Sequence, residues 1–178
     1  MIKVVKMDKF IPDMYQKSIY DINYKKLKKR GIKCLLFDLD NTLINYDEKE
    51  VSNKVKNLFA KLEDDFKVII MSNSGKKRLT PIKEALNVDV AFSSRKPFKY
   101  KYKKILSIYG FKDYQVAAIG DQLITDVFGA NNMGFTSILV NRLNNNEPIQ
   151  TRFNRHFEKK ILKRLAKKGI LEIGNYYE

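Results

Sequence analysis

Short apolar runs alternate along this chain with longer segments of helical periodicity. Residues 33–37, 67–71, 88–92, 115–119 and 135–140 are brief apolar stretches bounded by polar or turn-forming positions, the pattern of buried strands. Between them, residues 51–62, 76–86, 100–109 and 123–132 space their apolar positions three and four apart, which predicts amphipathic helices. Strand–helix alternation at this length predicts an α/β fold of three layers, with a central parallel sheet of about five strands covered on both faces. Sheets of that kind bind ligands beyond the carboxyl ends of their strands.

The ends of the chain are less regular. Asn23 is placed to cap a short helix over residues 24–29, with Gly31 as its left-handed stop. Residues 151–168 read as a strongly basic amphipathic helix. No repeat, low-complexity tract or Pro/Gly-rich linker divides the 178 residues. The expectation is one domain, residues 1–178, with an N-terminal extension over 1–31, a core over 32–142 and a C-terminal helix over about 150–170.

Composition narrows the class. A hydrophobic fraction of 44% and an aromatic fraction of 12% suffice for an ordered core. The single cysteine, Cys34, excludes an internal disulfide and suits a reducing compartment. No run approaches the roughly 20 apolar residues needed to cross a bilayer. Residues 1–10 alternate apolar side chains with lysines and lack a signal-peptide core. The expected location is cytoplasmic, or peripheral to the inner face of a membrane. Thirty-five Lys and Arg against 20 Asp and Glu leave a net charge of +15. Such a surface attracts polyanions: phosphorylated small molecules, nucleic acid or anionic lipid. A lysine-rich surface that is merely solvated gives the same count.

Four runs carry candidate chemistry, each just after a predicted strand. The first is Asp38-Leu39-Asp40-Asn41-Thr42. Carboxylates two residues apart on an extended segment point the same way, so Asp38 and Asp40 can address one phosphate. One can attack phosphorus while the other protonates the leaving oxygen and later activates water. Thr42 joins them as a candidate substrate contact. A magnesium ion, held by oxygen ligands, would screen the charges. Asp-Asn clusters also cap helices and make turns, so the run alone is ambiguous.

The second run, Ser72-Asn73-Ser74-Gly75, offers a hydroxyl and an amide to a phosphate oxygen at a helix N-terminus. Ser72 and Asn73 serve equally well as a plain helix cap. Third comes Lys96-Pro97, whose ammonium can pair with a nucleophile and a phosphoryl oxygen. Fourth, Gly120-Asp121-Gln122-Leu123-Ile124-Thr125-Asp126 leaves its strand through a glycine. It sets Asp121 as a metal ligand, and Asp126 to support Lys96 or the metal's waters. Acidic residues at a helix start also answer the helix dipole. Four such placements together supply nucleophile, acid/base, phosphate donor, cation and metal ligand.

This order of motifs resembles the haloacid dehalogenase (HAD) superfamily of phosphatases. The resemblance implies that Asp38 is the nucleophile, Asp40 the general acid/base, Ser72 a phosphate ligand and Lys96 the stabilising lysine. Asp121 would complete a magnesium site with Asp38 and the backbone carbonyl of Asp40, with Asp126 supporting it. Asp40 favours phosphate hydrolysis over dehalogenation. Phe10-Ile11-Pro12, Leu27-Lys28-Lys29-Arg30-Gly31-Ile32 and the run from Gly120 to Asn131 look like the YqeG-type branch of subfamily IIIA. That branch is similar to the mitochondrial phosphatidylglycerophosphate phosphatases of fungi and plants, and the similarity covers about residues 5 to 170.

Spacing bears on the substrate. Roughly 30 residues separate Asp40 from Ser72, and the gap from Ser72 to Lys96 holds only a helix and a strand. HAD enzymes that act on small metabolites usually carry a cap domain in one of these gaps; this chain has no room for one. An open site favours a phosphate presented on something large, such as a lipid headgroup, protein or nucleic-acid end. Arg95, Lys99, Lys101, Lys103 and Lys104 crowd the third motif. In the C-terminal helix, Phe153, Phe157, Ile161 and Leu165 form a stripe flanked by Arg152, Arg155, Lys159, Lys160, Lys163, Arg164, Lys167 and Lys168. That stripe either packs on the sheet or lies on an anionic bilayer. His156, with no second histidine, is expected at the surface. The leading expectation is a magnesium-dependent phosphatase acting on a phosphorylated lipid headgroup such as phosphatidylglycerophosphate. A nucleotide or sugar-phosphate phosphatase is the first alternative. A nucleic-acid or ribosome-associated protein with a secondary phosphatase site is another, although no RNA-binding aromatic signature accompanies the charge.

Overall fold

The computed structural model describes residues 7–146 and 149–174, leaving outside the lysine-alternating start of the chain and its last four residues. Six strands form one parallel sheet: β1 (Met14–Gln16), β2 (Cys34–Phe37), β3 (Lys67–Met71), β4 (Asp89–Ala91), β5 (Val116–Gly120) and β6 (Thr136–Val140). Their order across the sheet is β1-β6-β5-β2-β3-β4, so β2 is central, between β3 and β5. The helices are α1 (Tyr24–Lys29), α2 (Asn53–Glu63), α3 (Lys76–Leu86), α4 (Lys99–Tyr109), α5 (Phe128–Met133) and α6 (Ile149–Lys167). No helix among the described residues is long and apolar enough to cross a membrane.

Because the sheet is buried on both faces, its strands read as unbroken apolar runs. Leu35, Phe37, Val68, Ile70, Ala117 and Ile119 face α2 and α3, meeting Phe59, Leu62, Leu79 and Ile82. Cys34, Leu36, Ile69, Met71, Val116 and Ala118 face the other way, against Tyr102 and Ile105 of α4 and Phe135. Asn23 caps α1 as expected, accepting the Lys26 N–H, and Gly31 follows at φ +87.

The expectation of about five strands is corrected to six. The added strand, β1, comes from the segment expected to be an extension. Three residues cannot display a period, so nothing local marks β1; its pairing with β6 creates it, Met14 opposite Ile138 and Gln16 opposite Val140. Asp13 locks that edge, with Oδ2 accepting the Ser137 N–H at 2.7 Å and the Ser137 hydroxyl at 3.1 Å.

Residues 38–52 and α2 fill the connection from β2 to β3, and α3 alone fills that from β3 to β4. Neither gap holds a second domain. The segment predicted as one helix over 123–132 opens instead as a wide π turn, Leu123–Val127, before α5 begins. The C-terminal stripe is turned inward over its second half. Leu165 is buried, and Ile161 and Leu162 pack against Leu123, Val127 and Leu139. Phe157 is exposed, and Glu158 takes the inward place beside it. The Arg152 and Phe153 side chains lie outside the described set.

Asp13→Ala leaves the buried Ser137 N–H and hydroxyl without this acceptor. The expected loss is about 1–3 kcal/mol, read as a lower urea midpoint at unchanged m-value.

Candidate active site

The four predicted runs converge at the carboxyl end of the sheet. Parallel register sets Phe37 beside both Ile70 and Ile119, so the residues following β2, β3 and β5 emerge level with one another. The Asp38 N–H still bonds the Ile119 carbonyl at 2.8 Å. Leu39 is fully buried, while Asp38 and Asp40 on either side of it line one cavity, as alternation along an extended segment requires. The cavity measures about 340 Å³, and Ser72, Asn73 and Lys96 also line it.

Lys96 is the hub. Its Nζ lies 2.6 Å from Asp38 Oδ1 and 2.6 Å from Asp126 Oδ1, with all three side chains under a tenth exposed. Asn73 spends its amide on the Lys96 backbone, accepting the Lys96 N–H at 2.7 Å and donating to its carbonyl at 3.2 Å. Asn73, expected as a substrate contact, therefore also holds the lysine loop. Ser72 is buried and its hydroxyl accepts the Ser74 N–H. The Thr42 hydroxyl, also expected to face substrate, lies 3.4 Å from Asp38 Oδ2 and 3.2 Å from Asp121 Oδ1.

Asp126 reaches Lys96 because of local backbone. The π turn sends the Val127 N–H to the Gln122 carbonyl, and Asp126 Oδ2 accepts the Gln122 N–H at 3.1 Å. Gly120 belongs to β5 and has no unusual turn conformation. Its role is space: a Cβ there would stand 2.2 Å from Asp126 Cγ.

One oxygen from each of Asp38, Asp121 and Asp126 can lie within 4.8 Å of the others, and all three residues are buried. Burial pushes the Asp38 carboxyl up to about 8; Lys96 opposes that rise, while Asp126 and Asp121 add to it. Burial likewise raises Asp121 to about 6, against the pull of Arg155. For Lys96, burial acts against the charged form, but Asp126 and Asp38 outweigh it and the ammonium is held above its ordinary value. A cluster of buried, mutually repelling carboxylates is a hard-oxygen donor set that fits a divalent cation such as magnesium, which Asp38 and Asp121 would hold.

Two arginines were not anticipated as site residues. Arg78 of α3 grips Asp40, donating from Nε at 2.8 Å and Nη2 at 2.7 Å, and Ser74 Oγ donates to the same carboxylate at 2.6 Å. Arg78 also reaches the carbonyls of Glu48 and Asn45, tying the segment after β2 to α3. Arg155 of α6 donates to the Asp121 carbonyl at 2.9 Å and pairs with Asp121 Oδ2. It also donates to Glu158 at 2.8 Å, and Glu158 accepts the Ile124 N–H at 2.9 Å. Thr151 and Asn154 of α6 complete the cavity wall. One signal for this docking stands in the sequence: Glu158 is the lone acidic residue in an otherwise basic helix.

The sheet, the strand-end motifs and the buried carboxylate–lysine cluster define a phosphatase of the HAD type. The chain belongs to the family described as mitochondrial PGP phosphatase, whose model matches residues 1–143. It is 35% identical over 164 residues to a probable phosphatase, YqeG, of Bacillus subtilis strain 168, covering 92% of this chain and 95% of that one. It is 24% identical over 184 residues to phosphatidylglycerophosphate phosphatase 1 of Arabidopsis thaliana, covering 97% of this chain and 53% of that protein's length. The HAD hydrolase YfnB of Bacillus subtilis, solved with magnesium bound, shares the fold at a TM-score of 0.54 and 14% identity, over 66% of this chain and 90% of that one.

Gly120→Ala forces Asp126 off Lys96. The expected result is a loss of about 1–3 kcal/mol in urea unfolding together with a fall in phosphatase activity. Arg155→Ala frees Asp121 Oδ2, and apparent magnesium affinity is expected to weaken about 10–100-fold. The measurement is the rise of Tm with magnesium concentration, with Arg155→Lys restoring part of the response.

Proposed function

We propose that this chain hydrolyses phosphate monoesters through an aspartyl-phosphate on Asp38, with magnesium as cofactor, and that its substrate is a phosphorylated lipid headgroup such as phosphatidylglycerophosphate. The observation that carries the chemistry is Asp38, held by Lys96 and lining one cavity with Asp40 and Ser72, while a carboxylate oxygen of Asp121 lies within 4.8 Å of one of its own. Asp38 attacks phosphorus as the bond to the ester oxygen breaks, and Asp40 gives that oxygen its proton. Asp40 then takes a proton from water, whose oxygen attacks the phosphoryl group, releasing phosphate and restoring Asp38. A bound divalent cation supplies charge neutralisation to the phosphoryl oxygens. Lys96 keeps Asp38 in its attacking orientation and offers positive charge where the anion arrives. Asp40 already lines the cavity, and proton donation requires it to give up its ion pair with Arg78, so Arg78 and the segment it ties govern that step.

Three observations support a lipid substrate. The relative in Arabidopsis is named for phosphatidylglycerophosphate, no second domain among the described residues closes over the cavity, and the chain carries a charge of +15. On this reading the protein works from the cytoplasmic side at the inner face of a membrane.

Purified protein is expected to release phosphate from phosphatidylglycerophosphate when magnesium is present and to stop when it is chelated. Asp38→Asn should lower the rate by at least about a thousandfold while leaving the urea midpoint near or above that of the native chain. Brisk turnover of nucleotides or sugar phosphates, with none on the lipid, would remove the lipid substrate and keep the chemistry.

A further inference from the structure

We infer that the start of α4 is a membrane-docking surface, on which Phe98 and Tyr100 seat the catalytic cavity against an anionic bilayer. The inference rests on the lipid-phosphate reading and adds where the membrane is met.

Position comes first. Phe98 stands two residues beyond Lys96, a stretch of chain that reaches at most about 7 Å. It therefore sits at the rim of the cavity, on the same end of the sheet. Phe98 and Tyr100 are each 71% exposed. They are not needed to hold the helix down, because α4 is anchored by Tyr102 and Ile105 on its inward side. With Ser93, Ser94, Arg95 and Lys101 they line a second pocket of about 540 Å³.

Charge comes second. No acidic residue occurs from Val90 through Lys112, a stretch that carries Arg95, Lys99, Lys101, Lys103 and Lys104 besides Lys96. Arg95, Lys99, Lys103 and Lys104 are exposed. Aromatic rings settle at the headgroup level of a bilayer, and lysines around them meet anionic lipid. A phosphate on a lipid headgroup lies at that same level. One flat surface can thus take both rings while the cavity beside them receives the phosphate.

The C-terminal helix, the more obvious basic element, is committed elsewhere. Ile161 and Leu165 pack inward, and Arg155 is bound to Asp121. Among the described residues the start of α4 presents the two most exposed aromatic rings, 71% each, in a stretch that carries cations and no acidic residue. A single-stranded nucleic acid can also use rings and cations, but it needs a groove that follows its backbone. Here the rings stand at a rim.

The test is co-sedimentation of the full-length chain with phosphatidylcholine vesicles, with and without phosphatidylglycerol. Native protein is expected to bind only the anionic vesicles, less so as salt rises. Phe98→Ser with Tyr100→Ser should weaken binding by more than about tenfold. Each of Lys99→Glu and Lys103→Glu should weaken it by about fivefold or more. Turnover of soluble para-nitrophenyl phosphate should stay unchanged in all of these, which shows the fold and site intact. The inference is overturned if native protein ignores anionic vesicles, if the double aromatic variant binds them like native protein, or if the rings prove necessary for polyuridylate binding instead. Because binding is read without turnover, vesicle binding that persists when the lipid phosphate is not hydrolysed supports the surface and removes only the substrate.

Discussion

A lysine ammonium buried between two carboxylates organises this molecule. Removing Lys96, Asp38 and Asp126 from water costs several kcal/mol for each charge, and only close, well-aimed contacts repay it. The protein therefore spends much local structure on aiming them. Asn73 clamps the Lys96 backbone from the neighbouring strand end, and the π turn delivers Asp126. Gly120 leaves the space that Asp126 occupies. Each feature is odd when viewed alone, and each follows from placing two carboxylate oxygens 2.6 Å from one nitrogen.

Around this hub the site is held by segments distant in sequence. Arg78 joins Asp40 to α3 and to the loop after β2, so the proposed acid/base and that loop share one anchor. Arg155 joins Asp121 to α6, which lies beyond the residues matched by the family model. The C-terminal helix is thus part of the site's frame as well as a cover for the apolar residues beneath it. Its inward stripe carries an ion pair, Arg155 with Glu158, where a purely covering helix would carry another apolar side chain.

Among the described residues no second domain stands over the site. A cavity of about 340 Å³, walled on one side by Thr151 and Asn154, can hold a phosphate and its immediate ester but leaves the rest of a large substrate outside. On the proposed lipid-phosphate reading, recognition of that remainder falls to the rim. There the molecule presents lysines and two exposed rings, in keeping with a substrate anchored in an anionic surface.

Much of this was legible in the chain itself. Five strands announced themselves as apolar runs because a sheet buried on both faces leaves no polar alternation; Asp38 and Ser72 stood directly after one, and Asp121 and Lys96 a few residues beyond one. Asn23 and Gly31 marked α1 through rules that operate within a few residues. What the sequence could not show were pairings made across long separations. β1 exists only through β6, Arg78 meets Asp40 across 38 residues, and Arg155 meets Asp121 across 34. Among so many cations, nothing local distinguished Arg78 from a solvated arginine, and only the lone acidic Glu158, three residues on, set Arg155 apart. The five apolar strands, most of the helices between them and the motif residues were set by short-range patterning of apolar, turn-forming and carboxylate side chains, while the order of the strands came from long-range pairing. Which charges were buried together was decided by the tertiary structure, because burial and ion pairing are properties of a packed neighbourhood that a linear sequence does not contain.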